Sequence, residues 1–481
     1  MMSTTRHALG RLALAASLAT GATGALATEA PEAAQRHAIE NGLRPKIDIA
    51  GQAPVRWNVY ERMRRYRVPT MSVAVIKQGR IAWSATYRSD GTVSVPATRE
   101  RFQAASLSKG VTGSLAATLA DQHLIDLDAP IDTCLAPLKL PPGKQDVTHP
   151  VTLRNLLHHT AGATVNGFPG YPAGTPTATP EQVILGQPPS NTPAVTIEST
   201  PGSTYAYSGG GYTVAQLAIA HCTKQPFAEL IQRVVLKPAG MDDSSFAQPL
   251  PPGIAHASGH TANGDVIPGG ANTYPELAAA GLWTTAEDLA RWLIAVRQGD
   301  RGEKAFFSKA AAALMLEPGL NHYGLGVFVS GDGLTRHFMH EGGNAGFKSK
   351  YVMYLDSGDG VVMLTDSDNG RWLNVEFTKA VADAFGWEGF APRVVAKGEL
   401  NKAAMEARVG RYAIDDEDYE GDRQITLARE GDAWFLVLPD TARTALVPTG
   451  ANTFVAPDLG YAVSLDPSGG LTVGTLHARP L

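Results

Sequence analysis

Strand-like text occurs at two places far apart in the first 390 residues, and that separation constrains the fold more than any other feature. Residues 71–76 (MSVAVI) and 81–85 (IAWSA) are short apolar runs around Lys77-Gln78-Gly79-Arg80, which reads as a hairpin. Strand text returns only over residues 323–366, as YGLGVFV, HFMH, KYVMYL and VVMLT, with Gly358-Asp359-Gly360 as a tight turn. Between the two lies mainly helical and loop text. Such an order suits an α+β fold, in which an antiparallel sheet takes its first and last strands from opposite ends of the chain and packs against helices.

The helical text starts at Ser106, where Leu107, Val111, Leu115, Leu119 and Leu124 recur at roughly helical spacing. TLRNLLH (152–158) reads as a short helix closed by Gly162. A stretch rich in Pro, Gly and Thr, from about Gly167 to Pro201, has little periodicity and reads as a loop of the kind that often lines a site. Helix resumes at GYTVAQLAIAHCTKQPFAELIQRVVLKPAG, at TTAEDLARWLIAVRQ and over Trp372 to Phe385. In the second of these, Thr284 with Glu287, or Thr285 with Asp288, forms a capping box. After Gly389-Phe390-Ala391-Pro392 the text alternates through Ile425/Leu427, Trp434/Leu436/Leu438, Val463/Leu465 and Leu471/Val473, as expected of a small antiparallel sandwich or barrel.

The first segment is set apart from the fold. Arg6 and Arg11 flank LALAASLATGATGALA, which ends in Ala25-Leu26-Ala27, the pattern of a secretory signal peptide cut after Ala27. The run is too short and too rich in Ala, Gly and Thr for a membrane span, and no later stretch is apolar enough for one. The chain is therefore expected to be exported, periplasmic or secreted. Its net charge of −5 is mild and unpatterned, which speaks against nucleic acid as a partner and against a membrane surface. Export permits a disulfide between Cys134 and Cys222, but the expectation is two buried free thiols.

Three places carry chemistry. Ser106 and Lys109 open a helix at i and i+3, so hydroxyl and ammonium share a face and the lysine can act as base if burial keeps it neutral. The helix start also offers the Ser106 N–H to a developing oxyanion. Tyr207, in Tyr205-Ala206-Tyr207-Ser208-Gly209, sits at a turn into the next helix, where a phenol can pass a proton. His340-Glu341-Gly342-Gly343 lies between a short strand and the next, with the Gly343 N–H as second oxyanion donor. A metal site of the H-E-x-x-H kind is excluded, because residue 344 is Asn, and no cofactor is called for.

In this order, S-x-x-K, Y-x-G and H-x-G resemble the penicillin-recognising serine enzymes. The similar branch contains class C β-lactamases, D-alanyl-D-alanine carboxypeptidases, D-aminopeptidases and β-lactamase-like esterases. VPTMSVAVI, VTLRNLLHHTAG, PGSTYAYSGGGY, LKPAGMDDSSF, AAAGLWTTAEDLARWL and YGLGV carry the likeness from about residue 55 to 385. The resemblance implies Ser106, Lys109 and Tyr207 as catalytic residues, Ser106 and Gly343 as the oxyanion hole, and His340, Gly342 and Gly209 as substrate-binding positions. It implies a small-molecule ester, amide or peptide as substrate. The tail, with VGRYAI, is similar to the lipocalin-like β domains that follow many such hydrolases. The expected division is 1–27 signal peptide, 28–392 catalytic domain and 393–481 β domain.

One departure matters. Gly209 stands where the branch has Asn, a residue implied in amide recognition, so the expectation is an esterase; a β-lactamase or D-amino-acid-specific peptidase is the alternative. A non-catalytic penicillin-binding or sensor module would be of another class. Ser208, in a degenerate G-x-S-x-G, would be the nucleophile of an α/β-hydrolase, but that elbow needs a buried strand before it and finds Thr200-Pro201-Gly202-Ser203-Thr204.

Overall fold

The structure, a computed structural model, describes residues 23–303, 306–415, 424–438 and 443–481. Most of the expected signal peptide, residues 1–22, lies outside the described residues; helix α1 (Thr23–Glu40) starts before the expected cut, and α2 (Val59–Tyr66) follows it. No described helix is long and apolar enough to cross a membrane.

One antiparallel sheet of seven strands joins the two distant groups of strand text. Its strands are β1 (Thr70–Lys77), β2 (Arg80–Arg88), β3 (Val93–Ser94), β4 (Phe328–Ser330), β5 (His337–Asn344), β6 (Phe347–Tyr354) and β7 (Gly360–Thr365). The order across the sheet is β3-β2-β1-β7-β6-β5-β4, so β1 and β7 meet at its centre with Val73 opposite Met363. The β1–β2 turn places Gln78 and Gly79 at φ 51° and 74°, both left-handed, as a two-residue hairpin requires. Both faces of the central strands are buried, which is why they read as continuous apolar runs. Ala74, Ile76, Val362 and Leu364 face one hydrophobic core; Val73, Val75, Val361 and Met363 face the other.

The first core holds helix α3 (Ser108–Asp121), wrapped by α4 (Gly209–Thr223) and α5 (Ala286–Asp300). Thr285 caps α5, accepting from the Asp288 N–H at 3.2 Å; the box is not completed, because the Asp288 carboxylate turns instead to Asp243 N, Ser244 and Arg291. The second core packs α1, α2 and α6 (Gly370–Phe385) and continues into a closed eight-stranded barrel running from Gly410–Ile414 to Leu476–Pro480. A buried ion network ties the barrel down: Arg62 bonds Glu376 at 2.6 Å and Asp458 at 3.3 Å, and Arg65 bonds Asp458 at 2.8 Å. Before the barrel begins, Arg393–Val395 pairs in parallel with Ile47–Ile49.

Local readings are corrected in three places. YGLGVFV is not one strand, since only Phe328–Ser330 forms one; Gly324 presses on the end of the helix Lys309–Leu316, where a Cβ would stand 2.3 Å from the Met315 carbonyl, and Gly326 on α3, where a Cβ would stand 2.1 Å from the Lys109 carbonyl. The loop from 167 to 201 contains a short helix, Pro180–Leu185, with a capping box of Thr179 and Gln182. Cys134 and Cys222 are not free thiols: they form a disulfide, with Cα atoms 5.0 Å apart, between the turn Asp132–Leu135 and α4.

Candidate active site

Of residues 102–119, Ser106 alone is not buried. Its exposure follows from how the chain arrives. Phe102–Gln103 pairs with Trp283–Thr284, the Ala104 N–H donates to the Leu282 carbonyl at 2.8 Å, and Ala105 then takes φ 49°. A left-handed alanine is strained, and here it lifts Ser106 onto a single 3-10 turn, Ala105–Leu107, before α3 carries on into the core.

Lys109 lies one turn on, 2% exposed, its Nζ 3.0 Å from Ser106 Oγ and 3.0 Å from the Ala279 carbonyl. No carboxylate balances it, and burial lowers its pKa from 10.5 to about 7. The Ala279 carbonyl comes from a short helix, Leu277–Ala280, whose Ala278 carbonyl accepts from Thr112. Nζ also stands 4.9 Å from the centre of the Tyr207 ring.

Tyr207 is half-buried and leads into α4. Burial pushes its phenol up to about 12, with the nearby Ser106 hydroxyl pulling the other way. The group is therefore protonated at neutral pH. Its ring rests on His159, 4.2 Å between centres. Buried His159 accepts the Ser208 N–H at Nδ1 (3.0 Å), and burial and the Lys109 charge hold it well below the usual histidine range. Ser208 is buried and structural: its hydroxyl donates to the Thr164 carbonyl at 2.6 Å and accepts the Gly211 N–H at 2.8 Å.

His340 sits inside strand β5 rather than between two strands. Its Nδ1 donates to the Glu341 carbonyl at 2.6 Å, so Nε2 is the acceptor for the Tyr323 hydroxyl at 3.0 Å. Burial and Lys109 lower its pKa to about 3. Both ring nitrogens of His340 are thus engaged within the protein, one with the Glu341 carbonyl and the other with Tyr323. Strand β4 covers β5 only as far as Met339, which leaves the edge from His340 onward unpaired, and Gly342 on it lies against Ser106. Gly342 abuts the serine turn: a Cβ there would lie 2.5 Å from the Ala104 carbonyl and 3.1 Å from Ser106 N. Gly343 follows, exposed.

Gly209 has no side chain to offer, and its N–H donates to the Asn166 carbonyl at 3.0 Å. The structure thus gathers Ser106, Lys109, Tyr207, His340 and Gly342 into one cleft. It adds His159 and Tyr323, which no motif in the sequence marks, although His159 lies within LLHHTAG. Among the described residues no cluster of acidic, His or Cys side chains has the arrangement of a metal site.

The Beta-lactamase family model matches residues 55–384, which contain all of these groups. The chain belongs to the β-lactamase family. The D-alanyl-D-alanine-carboxypeptidase/endopeptidase AmpH of Escherichia coli (strain K12) is 27% identical to this family member over 200 residues, 39% of this chain and 47% of that protein. The putative penicillin-binding protein PbpX of Bacillus subtilis (strain 168) is 24% identical over 249 residues, 50% of this chain and 57% of that one. The chain thus spans about half the length of the curated relatives it matches. Among solved structures, the octameric penicillin-binding protein homologue from Pyrococcus abyssi superposes with TM-score 0.59 at 19% identity, over 87% of this chain and 98% of that one. A D-stereospecific amidohydrolase from Streptomyces sp. gives 0.53 at 20% identity, over 67% and 97%. At these identities the superpositions establish the fold, a β-lactamase/transpeptidase-like unit followed by a small barrel; the family supports a serine hydrolase in general.

Proposed function

We propose that the protein is an exported serine hydrolase that cleaves small esters through an acyl-enzyme on Ser106. The observation that carries this is the 3.0 Å contact between Ser106 Oγ and a buried lysine whose pKa lies near 7. Neutral Lys109 takes the hydroxyl proton as Oγ bonds to the substrate carbonyl carbon. The N–H groups of Ser106 and Gly343 hold the oxyanion. The Tyr207 phenol hands a proton to the leaving oxygen as the carbon–oxygen bond breaks, and water then releases the acyl group by the reverse route. The preference for esters rests on Gly209, which offers no polar side chain to a substrate amide. Export rests on the Arg-flanked apolar leader and on the Cys134–Cys222 disulfide, a bond of oxidising compartments.

A second reading, hydrolysis of D-amino-acid amides or peptides, draws on the names of the carboxypeptidase and amidohydrolase relatives. Intact-mass spectrometry with a fluorophosphonate tests the nucleophile: one adduct is expected on the wild type and none on Ser106→Ala. Comparing kcat/KM for a p-nitrophenyl ester, a cephalosporin and a D-Ala-D-Ala peptide tests the substrate. A large preference for either amide would replace the ester reading with the second.

A further inference from the structure

Ser208 is extended (φ −143°, ψ 117°), so residues 207 and 209 project to the same side of the chain. Tyr207 faces Lys109 on that side, its ring centre 4.9 Å from Nζ, and a side chain at 209 would therefore point towards the same site. The space is already filled. A Cβ on Gly209 would stand 2.7 Å from Cε2 and 3.4 Å from Cδ2 of Phe168, and 3.1 Å from the Asn166 carbonyl. Phe168 is half-buried: it packs against Tyr171, Ala178 and Val183 and against the edge of the main core, and part of it remains accessible. The Gly209 N–H bond to Asn166 pins the segment that carries the ring.

We infer that Phe168 is a specificity-determining residue, whose ring forms an apolar wall beside the nucleophile in the place a polar side chain at 209 would occupy. The inference rests on the reading of Ser106 as nucleophile and sharpens the substrate class. The favoured acyl donors carry an aryl or branched apolar group next to the reacting carbonyl, because such a group covers the ring and leaves no polar atom unpaired. A donor that needs a hydrogen bond at this wall finds no partner there.

Purified full-length protein is compared with Phe168→Ala, Phe168→Leu, Gly209→Asn and the double variant Phe168→Ala/Gly209→Asn. The ratio of kcat/KM for p-nitrophenyl phenylacetate to that for the acetate is expected to fall about tenfold in Phe168→Ala, the scale of a lost apolar contact, and to fall less in Phe168→Leu. Gly209→Asn alone should slow fluorophosphonate labelling of Ser106, because the new side chain collides with the ring. Removing the ring in the double variant should restore labelling. A phenylacetate-to-acetate ratio unchanged in both Phe168 variants would overturn the inference, as would a Gly209→Asn enzyme that labels at the wild-type rate. Wild-type protein that takes no label at Ser106 would instead overturn the nucleophile assignment, and the inference with it.

Discussion

The Lys109 nitrogen stands 3.0 Å from the Ser106 hydroxyl in a site where no carboxylate compensates the lysine charge. That one relationship fixes both a rate and a stability. Ester hydrolysis should rise with pH through about 7 as Lys109 loses its proton, and then level off. Lys109→Met should lower kcat/KM by roughly 10²–10⁴, the range of a lost general base. The stability effect has the opposite sign. The folded state binds fewer protons than the unfolded chain between about pH 7 and 10.5, so the burden of burying Lys109 is full below pH 7 and lifts as the pH climbs. Lys109→Met should therefore be more stable than wild type at pH 6, by a few kcal/mol at about 1.4 kcal/mol per pKa unit, and the gap should close towards pH 10. Urea melts of both proteins at several pH values measure it.

The two adjacent glycines of β5 should behave differently when each is changed to alanine. On Gly342 the new Cβ meets the Ala104 carbonyl at 2.5 Å and Ser106 N at 3.1 Å, both backbone atoms of the turn that carries Ser106. Overpacking there should cost about 1–3 kcal/mol and displace Ser106, lowering kcat with it. On Gly343 the nearest atom is Lys348 Cδ at 3.3 Å, on a flexible side chain that can yield. Gly343→Ala should leave stability unchanged or slightly raised, since alanine suits a strand better than glycine. Thermal melts side by side decide the contrast; equal losses would mean that the serine turn does not rest on β5.

What was legible in the sequence was local. Ser106 and Lys109 fall on one face because i and i+3 always do in a helix, and the β1–β2 hairpin follows from a turn that needs two left-handed residues. Tyr323 reads as strand because its neighbours are apolar; the chain curls there because Gly326 lets it press on α3, a contact between residues some 200 positions apart. Phe168 gave no signal at all. Its segment has no periodicity, and its position depends on a hydrogen bond from Gly209 to Asn166 that no spacing encodes. His159 was visible as a residue but not as a support for Tyr207, since ring-on-ring packing leaves no pattern along the chain.

The disulfide gives a prediction independent of catalysis. Cys134 and Cys222 close a loop of 88 residues between a short turn and α4, which starts just after Tyr207. On the loop-entropy scale such a bridge contributes up to about 4–5 kcal/mol. Denatured but unreduced protein should show no titratable thiol. Cys134→Ser/Cys222→Ser should melt several degrees lower while still labelling at Ser106, because the bridge lies outside the cleft. Two free thiols in the unreduced chain would contradict the pairing.

Glu276 carries the last expectation. It is 0% exposed, and neither carboxylate oxygen has a hydrogen-bond partner among the described residues. Burial pushes its pKa from 4.5 to about 7. It also precedes the short helix whose Ala279 and Ala278 carbonyls hold Lys109 and Thr112. Below pH 4.5 the carboxyl is neutral in both folded and unfolded chains and has no effect. Between about 4.5 and 7 the unfolded chain releases the proton while the folded one keeps it, so stability falls across that window, by on the order of 3 kcal/mol. Glu276→Gln removes the titration. The stability of the variant relative to wild type should therefore climb from pH 5 to pH 8, a trend that other buried groups such as Glu376 leave untouched because both proteins share them. Urea unfolding at pH 5, 6, 7 and 8 reads it directly. A difference that stays constant over that range would mean that Glu276 ionises at an ordinary carboxylate pH and does not press on the support of Lys109.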